Sequence, residues 1–174
     1  MTLVLSIAKA EKRHAEQIAV LVNSAYRGES SKQGWTTEAD LLAGRRTDTE
    51  EILRLMTSGD SMFLLCKAKA ELIGSVHLQK QNKQVCLGML AVSPLLQGKG
   101  IGKQLLSAAE LAALETWAVG KSVMAVIACR SELIAFYERC GYRRTGVSKA
   151  FPVNPELWIP KVEDLRLEML EKVL

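Results

Sequence analysis

The stretch Leu87–Leu106, L-G-M-L-A-V-S-P-L-L-Q-G-K-G-I-G-K-Q-L-L, leaves the chain few choices. Its apolar opening is long enough for a buried strand and ends at Ser93-Pro94, where proline removes a backbone donor and fixes φ. Glycines then stand at positions 98, 100 and 102, and an apolar helical pattern begins at once. Strand, glycine turn and helix start, in that order, aim free backbone N–H groups and the positive end of the helix at one point. Side chains at the glycine positions would keep an anion off those amides. The arrangement reads as a cradle for a pyrophosphate.

The spacing excludes two common nucleotide loops. A Walker loop needs a hydroxyl after its lysine, whereas Lys99 is followed by Gly100. A dinucleotide fingerprint needs glycine where Lys103 or Leu105 stands. What remains is Gln97-x-x-Gly100-x-Gly102 behind Val92-Ser93-Pro94. This segment resembles the acetyl-CoA site of the GNAT family of N-acetyltransferases, whose motif reads Arg/Gln-x-x-Gly-x-Gly/Ala at a strand-to-helix junction. A second segment, Phe136-Tyr137-Glu138-Arg139-Cys140-Gly141-Tyr142, is similar to that family's F-Y-E-K-x-G-F.

The 174 residues fit a single domain, 1–174, with room for a sizeable core. No apolar run nears the roughly 20 residues of a membrane span, and Met1–Lys9 lacks the residue order of a signal peptide. Cys66, Cys86, Cys129 and Cys140 form no C-x-x-C pair and sit in apolar settings, which reads as reduced core thiols in a cytoplasmic protein. The net charge of +4 suits an anionic cofactor, but no Lys/Arg block argues for nucleic acid.

Periodicity predicts a strand over Leu3–Ala8 and a helix over Glu11–Tyr26, with Ile18, Leu21, Val22 and Ala25 on its buried stripe. His14 falls on or beside that stripe, the place of a packed or surface residue. Thr36 or Thr37 is placed to cap a short helix through Leu42 that stops at Gly44, and Asp48 with Glu51 opens another running to Gly59. Ser61–Ala68, Leu72–Leu78 and Gln84–Val92 read as an antiparallel meander, and the last, apolar on both faces, is expected to be central. A helix over Ile101–Trp117, a strand over Val123–Ala128 and a helix from Ser131 to Gly141 follow. Then come a strand from Tyr142, a proline-rich loop over Ala150–Lys161 and an alternating last strand over Glu163–Leu170. The order is similar to the GNAT layout over nearly the whole chain. It implies an α/β (α+β) fold with a central mixed, mostly antiparallel twisted sheet and helices on both faces.

The resemblance implies acetyl-CoA as cosubstrate and no metal. Its binding is expected from the backbone of Leu90, Ala91 and Val92 and from Gln97, Gly98, Lys99, Gly100, Ile101, Gly102 and Lys103. The family often has asparagine seven residues before its tyrosine; here Arg130 stands there, a cation that could serve the phosphates instead. Tyr137 matches the family tyrosine that sits near the sulfur and can protonate the thiolate. Its place on a stripe with Leu133, Phe136 and Cys140 is equally that of a half-buried core residue.

In the family the central strand carries a bulge and splays from its neighbour, and Gly88 is compatible with such an irregularity or with simple relief of crowding. Gln84, Cys86, Gly88 and Leu90 are expected to share one face of that strand, and none is a carboxylate. Candidate bases are Glu38, His77 or a water relay, with none singled out. Tyr26, Arg27, Trp35 and Glu38, with Arg45 and Trp158, fall where the family layout puts the acceptor pocket. An aromatic with a carboxylate is a natural holder of a cationic amine. The implied activity is direct acetyl transfer, in a ternary complex, to a primary amine of a small molecule or peptide. The alternative is a non-catalytic acyl-CoA-binding or regulatory module of the same fold. Neither nucleic acid nor membrane is expected as a partner, and the protein is expected to be a monomer or homodimer.

Overall fold

In the computed structural model, which describes residues 3–174, the chain begins β1 (Leu5–Lys9), α1 (Ala15–Tyr26), α2 (Gly28–Ser31), β2 (Leu42–Gly44) and α3 (Thr49–Thr57). The meander is β3 (Ser61–Ala68), β4 (Glu71–Gln81) and β5 (Gln84–Val92). The chain then runs α4 (Ile101–Trp117), β6 (Lys121–Ile127), α5 (Ser131–Arg139), β7 (Arg143–Ala150), β8 (Trp158–Pro160) and β9 (Arg166–Val173). Seven strands share one sheet in the order β1-β3-β4-β5-β6-β9-β7. Every pair is antiparallel except β5 and β6, whose connection through α4 makes them parallel. The two-sided apolar strand β5 therefore sits in the middle.

Helices cover both faces of the sheet. Leu105, Leu106 and Ala109 of α4 and Ile134 of α5 pack with Val85 and Leu87, while Ile18 and Val22 of α1 and Ile52 of α3 pack with Phe63 and Leu65. Asp48 caps α3 by accepting from the Glu51 N–H at 2.7 Å. The Glu51 carboxylate does not complete a capping box and instead accepts from Thr47 Oγ1 at 2.6 Å. The start of the first helix is tightened into a 3₁₀ turn over Lys12–His14, and buried His14 caps it, its Nδ1 accepting from the Glu11 N–H at 3.0 Å.

Two local expectations give way to tertiary packing. Thr36–Leu42 is not helical: the helical turn is α2, upstream, and Thr37 Oγ1 instead accepts from the Ala39 N–H at 3.0 Å within a turn. Leu42 then enters β2, fully buried beside Ile127 and Leu165, and β2 pairs with β8 inside the stretch expected to be a loop. Gly44 has a φ of +91° with the Leu157 carbonyl against its open side, so a Cβ there would collide with backbone. Cys129 is exposed rather than a core thiol, Cys66 is buried, and all four cysteines are free.

Candidate active site

The central strand is broken in its middle. His77 of β4 faces Gly88 and Ser75 faces Ala91, so Val76 alone opposes both Met89 and Leu90. Met89 takes a φ of +47°, a left-handed conformation seldom adopted by a side-chain-bearing residue. This bulge reverses the alternation: Val85 and Leu87 pack on the α4 side, but Met89 and Ala91 pack on the α1 side. Leu90 consequently does not share a face with Gln84 and Cys86; it packs with the α4-side cluster. The bulge falls at Met89–Leu90, one residue past Gly88.

β5 and β6 also part. Their ladder holds only from Gln84–Lys121 to Cys86–Val123. Beyond it, Leu87–Leu90 of β5 and Met124–Ile127 of β6 line opposite walls of a cavity of about 180 Å³. Tyr26, Arg27, Glu38, Arg46, Arg130 and Trp158 are among the residues that close its far end.

On the other side of Leu90 lies the mouth of α4. Gly98 and Gly100 have φ of +77° and +79°, which only glycine adopts without strain. The first intrahelical bond is from Gln104 N–H to Gly100 O at 3.1 Å, so the N–H groups of Ile101, Gly102 and Lys103 stand ahead of the helical ladder. Among the described residues, no backbone hydrogen bond outside helices and strands has a donor between Gly98 and Lys103. These amides face a cavity of about 380 Å³ whose walls include Gly98, Gly100, Ile101, Gly102, Lys103 and Arg139.

Gln97 braces this mouth rather than reaching into it. Its Nε2 donates to Val92 O at 3.1 Å and its Oε1 accepts from Trp35 N–H at 3.0 Å, tying the end of β5 to the loop after α2. That tie requires Gly34, because a Cβ there would occupy the position of the Gln97 amide. Trp35 leans on Phe136, with ring centroids 6.0 Å apart, and both line the helix-mouth cavity.

The two cavities meet at Leu90, Leu133 and Tyr137, which line both. Tyr137 comes from α5, its ring held edge-on to Phe136 at 5.3 Å and to Tyr142 at 6.0 Å. Burial is the main reason its phenol is pushed well above the ordinary tyrosine range, with the neighbouring Tyr26 adding to it. It is a proton-bearing donor at neutral pH. Tyr26 fixes the bulge from the other side, donating its hydroxyl to Leu90 O at 3.1 Å.

Glu38 is buried between two guanidinium groups. Its Oε2 accepts from Arg27 Nε at 3.0 Å and its Oε1 from Arg130 Nη1 at 2.9 Å. Arg27 also donates to Arg45 O at 3.2 Å, and Arg130 to Thr36 Oγ1 at 2.6 Å. Burial lowers the Arg27 guanidinium from its usual value, an effect that Glu38 opposes and nearby Arg46 reinforces. His77 lies outside both cavities, stacked on Phe63 at 4.6 Å and hydrogen-bonded through Nε2 to Ser61 Oγ at 2.7 Å. Burial, with Arg46 contributing, pushes it down to about 4, so it is neutral and structural.

A family model described as "Acetyltransferase (GNAT) domain" matches residues 22–152. The chain belongs to the GNAT acetyltransferase family. No curated protein matches it. Among solved structures, an IAA acetyltransferase from Bacillus cereus is 19% identical, covering 98% of this chain and 100% of its own, at a TM-score of 0.69. A spermidine/spermine N-acetyltransferase from Vibrio cholerae is 16% identical, covering 97% and 92%, at 0.68. The ribosomal-protein-S18-alanine N-acetyltransferase from Escherichia coli is 14% identical, covering 98% and 94%, at 0.68. At such identities the likeness is one of fold.

Within this GNAT domain the expected residues separate into groups. Leu90, Val92, Gln97, Gly98, Gly100, Ile101, Gly102 and Lys103 line the helix-mouth cavity; Ala91 is buried toward α1, and Lys99 is exposed outside the lining. Arg130 is not at the mouth: its guanidinium is drawn into the ion pair with Glu38 and lines the other cavity, and Arg139 is the arginine beside the glycine loop. Trp35 likewise moves from the expected acceptor wall to the helix-mouth cavity, while Tyr26, Arg27 and Glu38 stay on the acceptor side. Arg46, rather than exposed Arg45, turns inward. Sequence reasoning missed Arg46, Arg139, Gly34 and Phe151; the Arg45-Arg46 doublet signalled a cation there but not which of the two faces in.

Proposed function

We propose that the protein is an N-acetyltransferase that moves an acetyl group from acetyl-CoA to a primary amine of a small molecule or peptide, by direct attack in a ternary complex. The observation that carries this reading is the meeting of a glycine-lined helix mouth with a second, separate cavity at Tyr137. The residues fit the cosubstrate: amides ahead of the α4 ladder, the positive helix end and Lys103 suit a pyrophosphate, and glycines leave the approach open. When bound, acetyl-CoA supplies an activated thioester.

The chain's own groups then meet three demands. In this reading, negative charge developing on the carbonyl oxygen is met by backbone N–H groups at the bulged end of β5. Tyr137 donates a hydrogen bond to the sulfur as the C–S bond breaks and the C–N bond forms. A thiol titrates near ~8.5 and a phenol near ~10, so Tyr137 steadies the thiolate rather than losing its proton for good. The proton that ends on sulfur is the one the amine gives up. Glu38 has both carboxylate oxygens engaged by guanidiniums and does not serve as the base.

No helix among the described residues is long and apolar enough to cross a membrane, and free cysteines favour a reducing, cytoplasmic setting. The decisive experiment follows free thiol released from acetyl-CoA in the presence of primary amines. Amine-dependent release is expected. Tight acetyl-CoA binding with no release across a broad amine panel would replace the enzyme by a non-catalytic acyl-CoA-binding module.

A further inference from the structure

The cavity on the far side of Tyr137 from the helix mouth has an unusual charge balance for a site that must admit an amine. Three guanidiniums, those of Arg27, Arg46 and Arg130, line it against a single carboxylate, Glu38, and no lysine or histidine is among its walls. Glu38 is already divided between Arg27 at 3.0 Å and Arg130 at 2.9 Å. Arg27 Nη2 is spent on Glu38 Oε2 at 3.0 Å, but Arg130 Nε, 4.0 Å from the half-exposed Glu132 carboxylate, has no hydrogen-bond partner and leaves the buried cluster one guanidinium N–H to spare. Arg46 lies over the Tyr26 ring, 5.8 Å from its centre, and among the described residues no carboxylate pairs with it. A polycation entering here would meet repulsion with no free carboxylate to hold it.

Excess buried positive charge costs free energy until an anion joins it, and a guanidinium is the side chain best shaped to take a carboxylate in a two-point bond. The remaining walls are apolar, with Met124, Ile127, Leu133, Phe151, Trp158 and Leu167 among them. The same positive field disfavours an ammonium and favours its neutral form, the form that attacks a thioester. A site lacking a free base gains from this.

We propose that the acceptor is a small amine carrying its own carboxylate, of the amino-acid class with an apolar side chain. Arg46 takes the carboxylate, with the Arg27–Glu38–Arg130 cluster behind it, and the amine faces the bulge beside Leu90. This rests on the acetyltransferase reading above and deepens it. The carboxylate is unchanged by the reaction.

The test compares leucine, methionine and phenylalanine with their carboxamides, with spermidine and with a lysine peptide, reading thiol release at a fixed saturating acetyl-CoA concentration. The amino acids are expected to exceed their carboxamides by about tenfold or more in kcat/KM, as a charge-assisted pair would give. Arg46→Gln is expected to erase that preference by raising KM for the amino acids far more than for the carboxamides. Carboxamides equal to the acids, preference for spermidine or the lysine peptide, or equal losses on both substrate classes in the variant would each overturn the proposal while leaving the acetyltransferase reading intact. Failure of acetyl-CoA to bind the folded protein would remove both.

Discussion

Replacing Glu38 by alanine strips the buried carboxylate from between two buried guanidiniums, leaving Arg130 only the half-exposed Glu132 at 4.0 Å, and the structure sets the size of the effect. The Glu38 side chain is 7% exposed, and the Arg27 and Arg130 side chains are 4% and 7% exposed, with ion-pair distances of 3.0 and 2.9 Å. At an effective dielectric of about 20, each contact is worth about 5 kcal/mol before the cost of removing water is counted. Most of that gain offsets desolvation, but deleting one partner leaves the other charges buried and uncompensated, a loss of about 3–5 kcal/mol. For a chain of this size that corresponds to a fall in Tm of roughly 6–20 °C. Urea denaturation of Glu38→Ala and wild type, with matched m-values, gives the difference directly. A loss below about 1 kcal/mol would show that water reaches the guanidiniums and that the cluster is no buried unit. Glu38→Gln, which keeps the shape, is expected to leave the form of the pH–rate profile unchanged in whatever folded fraction remains; disappearance of an acid limb would instead make Glu38 a base.

Three further outcomes are expected. Tyr137→Phe should lower kcat by about 10²-fold or more, with acetyl-CoA affinity by calorimetry nearly unchanged, because the donor is needed only as sulfur gains charge; an unchanged kcat would remove it from the mechanism. Neutral, buried His77 has its folded value near 4 against 6.5 unfolded, so the unfolded state takes up the proton first and stability falls as pH drops from 6.5 toward 4. That loss is about 3 kcal/mol by linkage, and urea titrations at pH 7 and pH 4.5 should show most of it in wild type and little in His77→Gln. Gly34→Ala should displace the Gln97 amide from its bonds to Val92 and Trp35, weakening acetyl-CoA binding about tenfold by calorimetry; unchanged affinity would free Gln97 from its bracing role.

The sequence carried most of the frame because its signals were local and agreed with one another. The meander, α4, α5 and the last strand were legible from alternation, caps and glycine stops, and the Gln97–Gly102 spacing located the helix mouth. What was illegible depended on contacts far apart in the chain. Leu42 became a strand residue because β8, over a hundred residues later, lies alongside it. Arg130, expected at a phosphate, was claimed by Glu38 across 92 positions. At Gly88 the sequence left a strand irregularity and simple relief of crowding both open; the bulge falls one residue later, at Met89, which bears the positive φ that glycine usually takes. Gly88, with an ordinary φ, was the chemically natural guess.

Calorimetric titration of the folded wild-type protein with acetyl-CoA, alongside Gly100→Val, tests the centre of this account. Gly100 has a φ of +79° at the mouth of α4, where a branched side chain is strained and stands in the ligand's approach. The account predicts saturable one-to-one binding to wild type and none to the variant. A folded wild-type protein that shows no heat of binding, or a variant that binds as tightly as wild type, would contradict it.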